Sequence, residues 1–228
     1  MCELLIVKSQ NSIPMEWVLG YAKLLDEYGL GGFSWGVAWK DTEGELRCYK
    51  SVDGIRKDQQ ASERLKGITS KEIFIHLRRP SLMNSITPFN IQPYLTTDHS
   101  LAFGHNGNFE EHESFRSSFL QLLKGTSDSE IAFQYFFQHY KKYNRPVEAL
   151  EETHRALKGK ANMVLFRKNE ATIIYSGNVD NKMYSFQLDD IKCVSTSVHS
   201  HDDFVFQNIF PSAKDIRPLP LFTSLLLE

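Results

Sequence analysis

The second residue of the chain is a cysteine. Cells normally remove an initiator methionine that precedes a small side chain, so we expect Met1 to be lost and Cys2 to become the N-terminus. Such a residue carries a thiol with an ordinary pKa of about 8.5 and an α-amine with a pKa of about 7.7–8.0. A nucleophile and the base that takes its proton would then share one Cα atom, as in N-terminal threonine enzymes. The alternative is chance, because some residue must occupy position 2.

A second candidate is the step Asn106-Gly107, which follows His105. An Asn-Gly step is most often a tight turn, because both residues tolerate positive φ angles. The functional alternative is an oxyanion hole, in which the asparagine side-chain amide and the glycine backbone N–H donate to a developing negative charge. Glycine suits this role because the missing Cβ lets a substrate oxygen come close.

Two adjacent arginines lie in the segment His76-Leu77-Arg78-Arg79-Pro80-Ser81. Arg78 falls at the end of a predicted strand, and Pro80 ends the strand pairing just beyond it. Exposed surface charge is the simple explanation of any arginine. A guanidinium group at a strand end can also hold a carboxylate through two parallel hydrogen bonds, which makes Arg78 a candidate for ligand binding.

A carboxylate of interest lies in the segment Thr126-Ser127-Asp128-Ser129-Glu130. Ser127 and Glu130 have the spacing of a capping box, which predicts that a helix begins here. Asp128 could in addition face an ammonium group, since the start of a helix holds a side chain in a fixed place. The structural and the functional interpretations are compatible.

Composition limits the classes of protein open to this chain. The 228 residues are 41% apolar and 24% charged with a net charge of −2, which is typical of a globular protein and gives no reason to expect nucleic acid or a membrane as partner. Three cysteines without a CxxC pair predict reduced thiols and exclude a disulfide framework. Glu3 stands where a secretory leader would be basic, and Pro220 interrupts the longest apolar stretch. We therefore predict a cytoplasmic location.

We expect neither a metal nor a cofactor. The run His-Ser-His-Asp-Asp at positions 199–203 contains metal-ligating residue types, but it is more typical of a polar loop. The sequence has no P-loop, no GxGxxG motif after a strand and no GxSxG motif.

Periodicity predicts the elements that must position these residues. Alternating or short apolar runs predict strands, and apolar residues three and four apart predict helices. The predicted strands are 4–7, 33–39, 45–50, 72–78, 101–105, 162–167, 172–176, 183–188, 193–197 and 204–206. The predicted helices are 14–28, which glycines 29, 31 and 32 should end, 128–143 and 147–158. Many strands with long helices and no strict βαβ alternation predict an α+β fold in a single domain, 1–228.

Six motifs occur in order within the first 130 residues or so. They are Cys2, Trp35-Gly36, His76-Leu77-Arg78, the segment 90–93, His105-Asn106-Gly107 and Ser127-Asp128-Ser129-Glu130. Together they resemble the class II glutamine amidotransferase domain of the N-terminal nucleophile (Ntn) hydrolase superfamily. The similarity is greatest to the stand-alone members that begin Met-Cys-Glu-Leu-Leu. The resemblance implies a four-layer αββα sandwich of two antiparallel sheets flanked by helices.

The resemblance also implies a reaction. Cys2 would attack the side-chain amide carbonyl of glutamine, with its own α-amine as base. The Asn106 side chain and the Gly107 backbone N–H would stabilise the tetrahedral oxyanion. Ammonia would leave, and water would release glutamate from a γ-glutamyl thioester.

Substrate binding follows from the same resemblance. Arg78 would bind the α-carboxylate of glutamine, and Asp128 would bind its α-ammonium group. A zwitterionic amino acid needs one cation and one anion, so this pair fits the expected substrate. The remaining residues that we assign to substrate binding are Ser81, Trp35 and Gly36.

Three positions depart from the pattern of the family. Gln92 stands where many members have histidine, and Ser197 lies where relatives often have glutamate. Phe33-Ser34 precedes Trp35-Gly36 where related chains often have an acidic residue. None of these departures removes a principal catalytic group. They leave substrate preference and rate open.

Three functions therefore remain in view. The first is a glutamine amidohydrolase or amidotransferase, whose ammonia would pass to a separate synthase subunit or to solvent. The second is the same chemistry on another γ-glutamyl amide, which presents the same charged head. The third is a non-catalytic binding or assembly domain of the same fold, with the leucines at 225–227 packing against another subunit. A homo-oligomer is also compatible with the sequence.

Overall fold

The computed structural model of the protein describes residues 2–29, 32–200 and 203–228. Three sequence-based inferences concern residues outside these ranges. They are the loss of Met1, the part of Gly31 in ending the first helix, and the part of His201 and Asp202 in the run considered for metal binding.

The described residues form twelve strands and six α-helices. The strands are β1 (Glu3–Pro14), β2 (Trp35–Lys40), β3 (Leu46–Ser51), β4 (Thr69–Leu77), β5 (Tyr94–Leu95), β6 (Leu101–Asn108), β7 (Lys160–Arg167), β8 (Thr172–Ser176), β9 (Met183–Leu188), β10 (Ile191–Thr196), β11 (Lys214–Pro218) and β12 (Thr223–Leu227). The helices are α1 (Met15–Tyr28), α2 (Gln59–Arg64), α3 (His112–Phe119), α4 (Asp128–Tyr143), α5 (Pro146–Leu157) and α6 (Asp203–Ile209). Within the described ranges, no helix is both long and apolar enough to cross a membrane.

The strands form two antiparallel sheets. The first has the order β11-β9-β10-β1-β4-β2-β3, and the second has the order β12-β8-β7-β6-β5. β1 lies in the middle of the first sheet, where Leu5 is opposite Ser195 of β10 on one side and Ile75 of β4 on the other. Strand pairing on both sides satisfies the backbone of β1, so the start of the chain is fixed inside the fold.

Alternation along β1 separates the layers of the molecule. Leu4 and Ile6 point to a core between the two sheets, which also contains Phe74 of β4 and Phe166 of β7. Leu5, the neighbouring residue, points to the opposite face, where α1 and α6 pack. The second sheet is covered on its outer face by α4 and α5 through a third apolar cluster. The four layers are helices, sheet, sheet and helices, which confirms the predicted αββα sandwich.

One predicted strand is wrong. Residues 204–206 belong to the helix α6, in which Phe206 and Ile209 are buried and Phe204 is 70% exposed. Buried positions three residues apart are typical of one face of a helix, and Phe206 packs against Phe186 of β9. The short Phe-Val-Phe alternation could not distinguish a strand from a helix.

The C-terminal leucines are explained largely by packing within the chain. Leu225–Leu227 belong to β12, which pairs with β8 at the edge of the second sheet. Leu227 is buried in the core between the sheets, Leu225 packs against that core, and Leu226 is exposed. The apolar tail that motivated the assembly hypothesis is therefore mostly part of the fold.

Candidate active site

The predicted site residues lie where strands of both sheets end together. Cys2 directly precedes β1, and its neighbour Glu3 is opposite Leu77, the last residue of β4. Arg78 follows at once, so β1 and β4 bring the cysteine and the arginine to the same end of the first sheet. Asn106 lies near the end of β6 in the second sheet.

Cys2 and Asn106 are in direct contact. The side-chain Nδ2 of Asn106 donates a hydrogen bond to the backbone carbonyl of Cys2. The Sγ atom of Cys2 lies 3.9 Å from the carbonyl oxygen of Arg79. Burial raises the pKa of the Cys2 thiol, and the positive charge of Arg78 acts in the opposite direction. Since a thiol with a raised pKa is mostly protonated at neutral pH, attack on a substrate needs a base that removes the proton as the new bond forms.

Position 107 requires glycine. Gly107 has a φ angle of 148°, which side-chain-bearing residues rarely adopt, and a Cβ atom built there would lie 1.7 Å from the carbonyl oxygen of Lys160. The register of β6 and β7 places Gly107 opposite Ala161, next to the pair Asn106 and Asn162. The Asn-Gly step is therefore part of a strand pair and not a hairpin turn.

Arg78 is a buried cation. Only 7% of the residue is exposed, its backbone N–H donates to the carbonyl of Ser34 at 2.8 Å, and its Nη2 donates to the Ser85 hydroxyl at 2.9 Å. In the described part of the chain, Nη1 has no hydrogen-bond partner and no carboxylate forms an ion pair with this guanidinium. Buried charges are normally paired, so the site is suited to an anionic ligand.

Asp128 is the first residue of α4. Its Oδ2 accepts a hydrogen bond from the backbone N–H of Phe109 at 3.0 Å, which ties it to the segment just after Gly107. Among the described residues, no lysine or arginine pairs with this carboxylate. Arg78 thus follows the strand residue opposite Glu3, Asp128 bonds the backbone three residues after Asn106, and no ion pair joins the two among the described residues.

The capping box at the start of α4 is only half formed. The Ser127 hydroxyl accepts from the backbone N–H of Glu130 at 3.2 Å, as predicted. The Glu130 carboxylate does not return to Ser127; it accepts from the N–H groups of Lys124 and Gly125, both at 2.8 Å. The backbone N–H of Ser127, which Glu130 would bind in a complete capping box, instead donates to Oδ1 of Asn90 at 3.1 Å. The loop before Asp128 is therefore fixed on both sides.

The other three residues assigned to substrate binding differ in burial and contacts. The Trp35 side chain is fully buried in the apolar layer under α1, and its Nε1 donates to Asp58 at 3.1 Å. Ser81 is exposed on the loop after β4. No hydrogen bond of the described residues joins either side chain to Cys2, so a contribution of Trp35 would come from its backbone. Gly36 allows a close approach, because a Cβ there would lie 2.2 Å from the carbonyl oxygen of Gln92.

Gln92 connects the two sheets. Its backbone crosses Gly36 of β2, and its Oε1 accepts from the backbone N–H of His105 at 2.5 Å. The Nε2 of His76 on β4 lies 3.0 Å from the backbone carbonyl oxygen of His105. Since a carbonyl only accepts, Nε2 is the donor. Burial lowers the pKa of His76 to about 3, so it stays neutral. Both contacts hold the β6 backbone directly before Asn106.

Sequence reasoning missed several polar residues around Cys2. Glu3 is 4% exposed, and its carboxylate contacts the Thr196 hydroxyl, Asn181 Nδ2 at 3.1 Å and His199 Nε2 at 3.6 Å. Burial raises the pKa of Glu3 to about 7. His199 follows Val198 in the left-handed region, with φ angles of 57° and 51°, which is a strained backbone for a β-branched residue. An acidic side chain next to a candidate nucleophile is the only local signal that the sequence offered.

We expect Glu3→Gln to change the pH dependence of stability. A carboxyl group whose pKa rises from 4.5 to about 7 on folding binds more protons in the folded state, so wild-type stability falls as pH rises through that window. The neutral amide removes this loss. The free energy of unfolding of Glu3→Gln, relative to wild type, should therefore increase between pH 4.5 and 8, by on the order of 2–3 kcal/mol.

Urea denaturation at several pH values measures this difference. Burial lowers the pKa of His199, and its imidazole contacts the Glu3 carboxylate, so the difference between the two proteins measures the Glu3 charge together with its interaction with His199. Glu16→Gln, at an exposed position on α1, serves as the matched control and should show no such trend. A constant difference between Glu3→Gln and wild type across this pH range would contradict the raised pKa.

Comparison with known proteins gives similarity of structure. No family model and no curated protein matches the sequence. The glutamine phosphoribosylpyrophosphate amidotransferase of Bacillus subtilis has a TM-score of 0.71 and 18% identity, over 96% of this chain and 46% of that one. A glutamine aminotransferase class-II domain protein from Silicibacter pomeroyi has a TM-score of 0.60 and 17% identity, over 86% and 88%. A protein described as a predicted glutamine amidotransferase from Pseudomonas aeruginosa has a TM-score of 0.57 and 12% identity, over 99% and 96%.

These likenesses show the fold. The chain has the αββα sandwich of the class II glutamine amidotransferase domains, as the resemblance in sequence predicted. It spans about half the length of the Bacillus subtilis enzyme and nearly the full length of the Pseudomonas aeruginosa protein.

Proposed function

We propose that the protein is a glutamine amidohydrolase in which residues 1–228 act as a single domain and Cys2 is the nucleophile. The observation that carries this proposal is a buried cation and a carboxylate that form no ion pair among the described residues, on strands and loops that also hold Cys2 and Asn106. Arg78 is buried without a carboxylate partner in the described chain, and Asp128 has no basic partner there. A small zwitterion with a side-chain amide satisfies both charges at once.

Recognition follows from these charges. The free Nη1 of Arg78 is available to the α-carboxylate of glutamine, and its Nη2 remains on Ser85. Asp128 takes the α-ammonium group through the oxygen that does not bind Phe109. Charge-assisted hydrogen bonds of this kind are about twice as strong as neutral ones, so they fix the head of the substrate and leave its amide to the sulfur.

The chemistry then needs a nucleophile, a base and oxyanion donors. The Cys2 sulfur attacks the amide carbonyl carbon, and its proton passes to the free α-amine of the same residue. Asn106 Nδ2 and the Gly107 N–H stabilise the oxyanion. The C–N bond of the substrate amide breaks as the α-ammonium group of Cys2 returns the proton to the leaving nitrogen, which departs as ammonia. Water then attacks the thioester, the C–S bond breaks, and glutamate and the thiol are released.

The fate of the ammonia defines the partners. We propose that ammonia passes to an acceptor subunit or to solvent, in the cytoplasm. A γ-glutamyl amide of a larger amine has the same charged head, and hydrolysis of such a substrate by the same residues is the competing proposal.

The test combines the mass of the purified protein with an assay. We expect the mass to correspond to loss of Met1, and a diazoketone analogue of glutamine to label Cys2 stoichiometrically. Glutamate and ammonia should appear in equal amounts from glutamine, at a kcat/KM at least tenfold above that for γ-glutamyl peptides. A preference for the peptides would support the competing substrate, and an unlabelled Cys2 with no turnover of either would support the non-catalytic alternative.

A further inference from the structure

Asn106 lies among other buried asparagines, which we call the asparagine cluster: Asn106, Asn162, Asn178 and Asn181. Asn106 on β6 and Asn162 on β7 are register partners, and the other two lie in the loop between β8 and β9. None of the four is more than 2% exposed. A buried amide needs partners for its N–H groups and its oxygen, so the cluster determines which end of each side chain faces which neighbour.

The backbone fixes the orientation of Asn162. Its Oδ1 accepts from the N–H groups of Gly177 and Asn178, both at 3.1 Å, and its Nδ2 donates to the carbonyl of Asn181 at 2.7 Å. A backbone N–H only donates and a carbonyl only accepts, so a flipped amide would lose all three hydrogen bonds. Asn162 therefore presents its remaining N–H to Oδ1 of Asn106, at 3.0 Å.

The backbone fixes Asn178 in the same way. Its Oδ1 accepts from the N–H groups of Asp180 and Asn181, at 3.0 and 3.3 Å. Its Nδ2 donates to the backbone carbonyl of Asn106 at 3.3 Å and to the Oδ1 of the same residue at 3.2 Å. A flip of Asn178 is again excluded by groups that cannot exchange donor for acceptor.

The orientation of Asn106 follows from these two neighbours. Its Oδ1 meets N–H groups from both Asn162 and Asn178, so its Nδ2 must face the other way, where it donates to the carbonyl of Cys2. If the Asn106 amide were flipped, its NH2 group would face the NH2 groups of Asn162 and Asn178, and its oxygen would face the carbonyl oxygen of Cys2. An amide nitrogen carries two hydrogens, so one N–H remains for a ligand after the bond to Cys2 is made.

We infer that Asn162 and Asn178 are positioning residues, which hold the Asn106 amide with its nitrogen toward the reacting sulfur. The inference rests on the function proposed above, in which Asn106 donates to the oxyanion. Two donors on its oxygen keep that N–H in place before negative charge develops, so no reorientation is needed as the substrate reacts. They also polarise the amide, which strengthens the hydrogen bond that the N–H donates.

Asn178→Asp tests this with a minimal change of shape. One carboxylate oxygen still accepts from the N–H groups of Asp180 and Asn181, but the other replaces the donor that faces Asn106 with an acceptor. We expect kcat for glutamine hydrolysis to fall about 10²-fold, and about 10-fold for Asn178→Ala, with KM within about threefold of wild type. The matched control is Asn108→Asp, because Asn108 is exposed and lies on β6, the strand that contains Asn106. This variant should keep kcat within about twofold of wild type.

A double-mutant cycle separates positioning from a general structural effect. Asn106→Ala is expected to lower kcat by roughly 10²–10³-fold, and Asn178→Asp should then cause no further loss, because the amide that it orients is absent. All values of kcat are expressed per Cys2 thiol labelled by the diazoketone analogue, so partial unfolding does not imitate the effect. Asn178→Ala provides the same comparison without a buried carboxylate.

The outcomes are distinct. A kcat within twofold of wild type in both Asn178 variants overturns the inference, as does an equal loss with and without the Asn106 side chain. A loss in the wild-type background that vanishes in the Asn106→Ala background supports it. The assay of the unmutated protein tests the proposed function separately. If that protein releases no glutamate from glutamine, the proposed function is wrong, and this inference is wrong with it.

Discussion

Replacement of Cys2 by alanine is expected to abolish glutamate release, with a loss of kcat of about 10⁴-fold or more. The proposed reaction forms and breaks a bond to the Cys2 sulfur, and no neighbouring group can replace that nucleophile. The charged groups that recognise the substrate are untouched, so Cys2→Ala should still bind glutamine. An enzyme-coupled glutamate assay measures the loss, and isothermal titration calorimetry measures the retained binding.

The other two cysteines provide the controls for this prediction. Burial raises the pKa of Cys48 to about 11 and that of Cys193 to about 12, so neither thiol ionises readily at neutral pH. Cys48→Ala should keep kcat within about twofold of wild type and should still be labelled by the glutamine analogue. A Cys2→Ala protein that turns over glutamine at the wild-type rate would refute the proposed mechanism at its first step.

The candidate site residues could be named from the sequence because each of their signals is local. A cysteine at position 2, an Asn-Gly step after an apolar run and an arginine at a strand end are each visible within a few residues. The run Leu4–Val7 is apolar on both faces, which is enough to predict a central strand and hence a fixed N-terminus. These predictions needed no knowledge of which strand pairs with which.

The supporting residues could not be predicted because their contacts are long-range. Asn178 meets Asn106 across 72 residues of sequence, and Asn181 meets Cys2 across 179. An asparagine in a loop is most often a turn residue, and only the pairing of β6, β7 and β8 shows that these amides are buried. The contact of the Trp35 side chain with Asp58 across 23 residues could not be predicted for the same reason.

Arg78 shows how a functional site and a stable fold can conflict. A buried guanidinium without a carboxylate partner costs folding free energy, because its hydration is lost and is only partly replaced by Ser85. A fold has no structural reason to keep such a charge. Its presence beside Cys2 is therefore better explained by a ligand that supplies the missing anion, and this explanation can be tested by removing the charge.

We expect Arg78→Met to lower kcat/KM for glutamine about 10³-fold, because the variant loses the charge-assisted hydrogen bonds to the α-carboxylate. The same variant should hydrolyse 4-aminobutanamide, which is glutamine without that carboxylate, within about threefold of the wild-type rate. Removing an unpaired buried charge should leave the melting temperature unchanged or higher. Arg47→Met, at an exposed pair with Asp41, is the control and should alter neither substrate.

The matched comparison uses the opposite charge. Asp128→Asn should reduce turnover of glutamine but spare glutaramate, the analogue without the α-ammonium group, so the two variants are expected to show opposite substrate dependence. Such a crossed pattern requires Arg78 and Asp128 to hold the two ends of one zwitterion, and general damage to the site cannot produce it. Equal losses on all three substrates for both variants would show that these charges support the fold of the site and do not recognise the substrate.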